Sequence, residues 1–172
     1  MNNLEIPRDH WWLPALCAAV MAGASLETRA EEHIAWDFTL PTLAGDRFVQ
    51  LSKLSGPVLV NFWGRDCAPC VAELPLLQTF AQANPGWTIL LVCTDPPQDA
   101  RVYLQKHNIT LPALKSGANV VALMSAAGNR RGGLPFTVVL REGRICQTHE
   151  GGLTAADLKA LRLAGSTSEA QP

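Results

Sequence analysis

The stretch NFWGRDCAPCVAELP, residues 61–75, carries two cysteines two residues apart, with an apolar run before them and a helix-like run after. Val58–Trp63 (VLVNFW) is short, apolar and β-branched, the pattern of a strand buried on both faces. Val71, Leu74, Leu77 and Phe80 recur at helical spacing, so a helix is predicted from near Cys67. Pro75 inside that helix predicts a kink. Asn84-Pro85-Gly86 ends it.

Working outward, Ala35–Leu40 (AWDFTL) reads as extended up to Pro41. Ala44-Gly45-Asp46 is a turn signal and Phe48–Leu51 alternates, so a small hairpin is predicted there. Gly56-Pro57 breaks the chain ahead of the buried strand. Beyond the cysteines, Trp87–Cys93 (WTILLVC) is a second buried strand and Asp99–His107 a short amphipathic helix. Thr137–Leu140 is a third strand, Glu142-Gly143 a turn and Ile145–His149 a fourth strand. Thr154 is a good N-cap for a last helix, Thr154–Leu163, which ends before Gly165. The order is a β-hairpin, then β-α-β-α, then β-β-α, which describes a three-layer α/β sandwich.

The chain of 172 residues is long enough for one domain with a real core, and its 48% hydrophobic and 17% charged residues exclude a disordered chain. A formal net charge of −1 speaks against a nucleic-acid binder, which needs a basic surplus to neutralise phosphates. Trp11–Ser25 (WWLPALCAAVMAGAS) is uncharged and, at 15 residues, shorter than the roughly 20 needed to span a bilayer. It suits the apolar core of a secretory signal, with small-residue cleavage sites before Ser25 or Glu31, although Glu5 and Asp9 offset the positive start at Arg8. Leu16 ahead of Cys17 argues against a lipid-attachment site. The predicted division is a signal peptide or short membrane anchor over residues 1–30, a folded domain over 31–165 and a loose tail over 166–172. Export would put Cys67, Cys70, Cys93 and Cys146 in an oxidising compartment, where disulfides persist.

A Cys-x-x-Cys where a buried strand passes into a helix has a mechanism. Cys67 at the helix N-terminus meets unpaired amide donors and the macrodipole, which stabilise a thiolate. Cys70 lies within one turn, close enough to form a small disulfide, and Pro69 stiffens the loop where no donor is needed. Cys67 would attack a substrate disulfide, and Cys70 would resolve the mixed disulfide. The competing readings are a zinc site and a structural staple. Zinc usually takes four ligands, and here there is no second Cys-x-x-Cys, with His33, His107 and His149 scattered singly. A two-residue loop gains little as a staple. The strand–loop–helix context favours the redox reading.

Asn61–Pro75 resembles the active-site stretch of the TlpA/ResA-like branch of the thioredoxin family, exported thiol–disulfide oxidoreductases related to the cytochrome c maturation thioredoxins. The resemblance runs from about Trp36 to Leu163. Asp37-Phe38-Thr39-Leu40-Pro41 is similar to the family's first strand, and Gly133-Leu134-Pro135-Phe136-Thr137 to the loop whose cis-proline faces the disulfide. The resemblance implies a thioredoxin-like three-layer sandwich with an N-terminal β-hairpin extension. It also implies a redox-active disulfide between catalytic Cys67 and Cys70, and a cis Pro135 that helps align the substrate chain. Without it, a trans bond is the default for any X–Pro pair.

Two polar residues join the site by the same resemblance. Asn61 falls where many cytoplasmic thioredoxins carry a buried aspartate. Glu73 lies one helical turn beyond Cys70, where the resembled branch places a glutamate that manages the proton of the second cysteine. A buried carboxyl with a raised pKa suits that role; the plainer alternative is a first-turn carboxylate complementing the helix dipole. Asp66 departs from the pattern, which usually has tryptophan there. It reads either as the helix N-cap or as a charge that repels the Cys67 thiolate, raises its pKa and alters the docking surface, with Arg65 offsetting part of the charge. Cys93 and Cys146 are predicted to stay unpaired: in the thioredoxin-like sheet that the resemblance implies, two strands between theirs put them three strand spacings, about 14 Å, apart, against a Cα limit of about 7 Å. Arg130-Arg131 reads as a solvated loop ahead of the proline, or as part of a docking face.

The function so implied is an exported protein disulfide reductase. It would be periplasmic, free or tethered to the inner membrane through its N-terminus, and a monomer without cofactor or metal. Its partners would be protein disulfide substrates and a membrane thiol electron donor of the DsbD/CcdA type. A disulfide oxidase or isomerase stays open. So does a copper(I)-delivery module, since soft thiolates suit that ion, although no Met-rich or His-rich cluster supports it. A peroxidase ranks last, because peroxiredoxins need a threonine three residues before the cysteine and Gly64 holds that place.

Overall fold

The computed structural model describes residues 36–164. The leader or anchor expected over residues 1–30, with Cys17, and the tail expected over 166–172 lie outside the described residues.

The fold is thioredoxin-like, and β3, Val58–Trp63, is its axis: all six residues are buried. It pairs in parallel with β4, Thr88–Cys93, and antiparallel with β6, Phe136–Arg141. β5, Ala113–Lys115, and β7, Arg144–Glu150, complete a five-stranded sheet of order β5-β4-β3-β6-β7. Side chains alternate across a strand, and β3 shows why its whole sequence is apolar. Leu59 and Trp63 enter one core with α1 (Ala68–Ala83), α2 (Pro97–Lys106) and α4 (Ala155–Ala164). Val58, Val60 and Phe62 enter the other, beneath α3 (Val120–Ala126) and the hairpin of β1 (Thr39–Pro41) and β2 (Phe48–Gln50). Each fully buried Leu or Phe contributes about 1.5–3 kcal/mol. By the same alternation Asn61 points to the α1 side.

The hairpin forms its own two-stranded sheet. It docks on the sheet edge through a Thr42–Leu114 bridge and a bond from Leu43 N–H to Ala113 O at 3.0 Å. Leu51 ends the alternation by opening a 3-10 turn, Leu51–Lys53, and does not extend β2. Glu142 (φ 51°) and Gly143 (φ 73°) form the tight turn between β6 and β7, the backbone that a two-residue hairpin of right-handed twist requires.

α1 runs through Pro75 to Ala83, and Asn84 ends it, its Nδ2 donating to Phe80 O at 2.8 Å. α4 opens with a reciprocal cap: Asp157 N–H donates to Thr154 Oγ1 at 3.2 Å, and Thr154 N–H donates to Asp157 Oδ2 at 2.8 Å. Two elements were not predicted, β5 and α3, between the second helix and the third predicted strand. They span three and seven residues, too short for a period to declare itself. α2 begins at Pro97, two residues ahead of the predicted start, because proline suits a first helical position, whose N–H needs no partner.

Candidate active site

Cys67 and Cys70 are joined as a disulfide with Cα atoms 5.2 Å apart. The β3–α1 loop presents them unequally. Cys67 is the N-cap of α1 and half-buried, whereas Cys70 is fully buried in the helix. The Cys70 N–H points at Cys67 Sγ at 3.3 Å. One free amide of the first helical turn is thus aimed at the sulfur that solvent reaches.

Asp66 is not the cap. The helix begins at Ala68, and the capping position falls to Cys67. The Asp66 side chain is 87% exposed and faces Arg65, with Nε to Oδ1 at 3.7 Å. Arg65 is tied in turn to the start of α2, its guanidinium 3.4 Å from Asp99 Oδ2, and its N–H donates to Asp95 Oδ2 at 2.6 Å. Gly64 sits against the same loop: a Cβ there would lie 3.2 Å from Thr94 Oγ1 and 3.6 Å from the Asp95 carboxylate.

The Leu134–Pro135 peptide is cis, and Pro135 is buried. Asn129, itself buried, braces the approach by donating from Nδ2 to Gly133 O at 2.7 Å. Arg130 and Arg131 are exposed between them.

Glu73 is 1% exposed and lies past the first turn of α1, so it does not serve as a first-turn dipole partner. Its Oε1 accepts from Asn61 Nδ2 at 2.7 Å and its Oε2 from Leu153 N–H at 2.6 Å. Asn61 Nδ2 also donates to Thr137 Oγ1 at 3.1 Å. Thr137 is register partner of Asn61 on one side and of His149 on the other, so a polar row crosses β3, β6 and β7 beneath α1. Burial raises the Glu73 pKa above its ordinary value; the two donors and the charge of His149 offset only part of that.

Among the described residues, the other two thiols, Cys93 and Cys146, are free. β3 and β6 separate their strands, as the sequence predicted. Cys93 is buried, its thiol 3.6 Å from Asp95 Oδ2, and burial pushes it up to about 12. Cys146 is exposed and donates to Val139 O at 3.4 Å. His107 stacks on Tyr103, with ring centroids 4.2 Å apart, and His33 lies outside the described residues.

Sequence reading did not single out Thr137, Asn129 or the glycine pair Gly151-Gly152. The first was findable, since pairing the two predicted strands puts a threonine opposite Asn61. Gly151 N–H donates to Pro135 O at 2.9 Å, and Gly152 packs against Pro69, so the turn after β7 joins the proline loop to the cysteine loop.

Residues 32–147 match the model of the AhpC/TSA family. The chain is similar to the thiol-disulfide oxidoreductase ResA of Halalkalibacterium halodurans, 30% identical over 139 residues that cover 77% of this chain and 74% of that protein. It is also similar to sporulation thiol-disulfide oxidoreductase A of Bacillus subtilis, 25% identical over 80% of this chain and 84% of that one. Among solved structures, a thioredoxin-related protein from Neisseria meningitidis serogroup B superposes with a TM-score of 0.66 at 27% identity, covering 74% of this chain and 99% of that one.

Proposed function

Because the chain belongs to the AhpC/TSA family and is a thiol–disulfide oxidoreductase of the TlpA/ResA type, we propose that it is an exported protein disulfide reductase working through the Cys67–Cys70 couple. The observation that carries this reading is the unequal placement of the two sulfurs: Cys67 is half-exposed at a helix N-terminus, and Cys70 is buried one turn from a buried carboxyl.

In the reduced protein the Cys67 thiolate is the nucleophile, stabilised by the amide that now points at its sulfur. It attacks one sulfur of a substrate disulfide, forming a mixed disulfide and releasing the other substrate sulfur as a thiolate, which takes a proton from water. Glu73 accepts the proton of Cys70. The Cys70 thiolate then attacks Cys67 Sγ, closing the Cys67–Cys70 disulfide and releasing the second substrate thiolate. Two electrons pass to the substrate, and the chain leaves oxidised. Pro135 aligns the substrate chain beside Cys67. A membrane thiol donor of the DsbD/CcdA type returns two electrons. The apolar stretch Trp11–Ser25 supports a place outside the cytoplasm.

The test is the reduction potential of the couple, equilibrated against glutathione. A value near about −270 mV supports the reductase; one near about −120 mV makes the chain an oxidant and overturns the direction proposed. Cys67→Ser is expected to abolish insulin reduction.

A further inference from the structure

The turn between β7 and α4 touches three parts of the site in three consecutive residues. Gly151 N–H donates to Pro135 O at 2.9 Å. Gly152 backs onto the cysteine loop, where a Cβ would lie 3.3 Å from Pro69 Cβ and 3.7 Å from Pro69 O. Leu153 N–H donates to Glu73 Oε2 at 2.6 Å, and the Leu153 side chain is buried in the core that α1 and α4 share.

The two glycines meet different demands. Gly151 has a φ of +92°, a conformation that side chains rarely adopt. The demand at Gly152 is for space, since a Cβ there crowds Pro69. Close packing leaves little room to absorb such a group. Either Pro69 moves outward, carrying the cysteine loop, or the turn moves away, carrying the Leu153 N–H.

That N–H matters because Glu73 has few partners. Of its two donors, Asn61 is fixed in the centre of the sheet, on β3. Leu153 belongs to a connecting turn. Among the described residues, the titratable side chain that acts on Glu73 is His149 on β7, which leads into the same turn. The turn therefore governs how well the ionised carboxylate is satisfied.

We propose that Gly151–Leu153 is a positioning element that holds the cis-proline loop, the cysteine loop and the Glu73 carboxylate at fixed separations. Within it, Gly152 sets how closely the Leu153 N–H approaches Glu73. The consequence for turnover, though not the positioning itself, rests on the reading of Glu73 as the proton acceptor for Cys70.

The test is Gly152→Val in the full chain, with Gly152→Ala as a milder step in the same direction should the valine variant not fold. Two readouts are taken: the titration of Glu73, followed by carboxyl-carbon NMR, and the pH profile of disulfide exchange. Moving the donor away is expected to shift the Glu73 titration to higher pH by about one unit, the scale for a lost hydrogen bond to a charged group, and to carry the pH profile of exchange with it. In a Glu73→Gln background the same substitution is expected to change the exchange rate by no more than about twofold, because both act through one contact. An unmoved Glu73 titration in a folded Gly152 variant overturns the proposal. A Glu73 titration that moves while the exchange profile stays put upholds the positioning role and removes Glu73 from proton transfer.

Discussion

Asn61 Nδ2 lies 2.7 Å from Glu73 Oε1, and both side chains are buried. The amide spends its donors on Glu73 and Thr137, while Asn61 Oδ1 has no hydrogen-bond partner among the described residues. That orientation suits an ionised Glu73, whereas burial favours the neutral acid. The site thus holds a carboxyl between two opposed demands, which is what a group that must take and return a proton needs.

This balance predicts a pH dependence of stability. The folded-state pKa of Glu73 is raised above its ordinary value of 4.5, so between the two values the folded chain holds more protons than the unfolded one. The Glu73 contribution to stability therefore falls as pH rises from about 4.5 through the folded value, and is flat above it. Asp37 and Asp157 shift the other way. Their contribution is present above 3.8 and is lost as pH falls, which keeps it out of the Glu73 window. Urea unfolding across a pH series should show the decline, and Glu73→Gln should abolish it. A decline of equal slope in the variant would assign it to another group.

Gly64→Thr supplies the threonine that peroxiredoxins place three residues before the reactive cysteine. The structure leaves little room for it: a Cβ at that position lies 3.2 Å from Thr94 Oγ1, which must give way, and 3.6 Å from the Asp95 carboxylate. The expected result is a loss of about 1–3 kcal/mol in stability, the usual scale of overpacking, and no gain in peroxide turnover. Peroxidase activity appearing in a stable Gly64→Thr variant would show that the loop reshapes.

Asp66→Trp tests whether the acidic neighbour tunes the nucleophile. Removing the carboxylate should let the Cys67 thiolate form at lower pH. The change should be small, because the Asp66 side chain is 87% exposed and Arg65 already faces it, and exposed charges in water interact weakly. The measurement is the pH midpoint of Cys67 alkylation in the reduced protein. A midpoint that stays or rises overturns the idea that Asp66 raises the Cys67 pKa.

How much of this was legible follows from what each feature depends on. β3 and the start of α1 were readable because their patterns are local: a run of buried residues, then cysteine and leucine at helical spacing. Asn61 and Glu73 were reached through the family resemblance, which places polar residues at those positions, and not through the local pattern. β5 and α3 were not readable, since three and seven residues show no period and their existence depends on neighbours in space. The same holds for the turn Gly151–Leu153. Its glycines look like any loop, and only the folded chain brings Pro69, Pro135 and Glu73 against it. The alternative that Asp66 caps the helix fails for a related reason: aspartate is a favoured capping residue, but the loop enters the helix one residue later and gives the cap to a cysteine.

The two free thiols among the described residues should separate by reactivity. Cys93 is buried and its thiol is pushed up to about 12, so at neutral pH it is neither accessible nor a thiolate, and it packs as a small apolar side chain. Cys146 is exposed on β7. Treating the oxidised native protein with iodoacetamide should alkylate Cys146 readily and leave Cys93 untouched until the chain is unfolded, as read by peptide mass spectrometry. Rapid labelling of Cys93 in the native state would mean that β4 opens far more often than a strand paired on both sides should. A native Cys93–Cys146 crosslink would contradict the strand order that keeps the two apart.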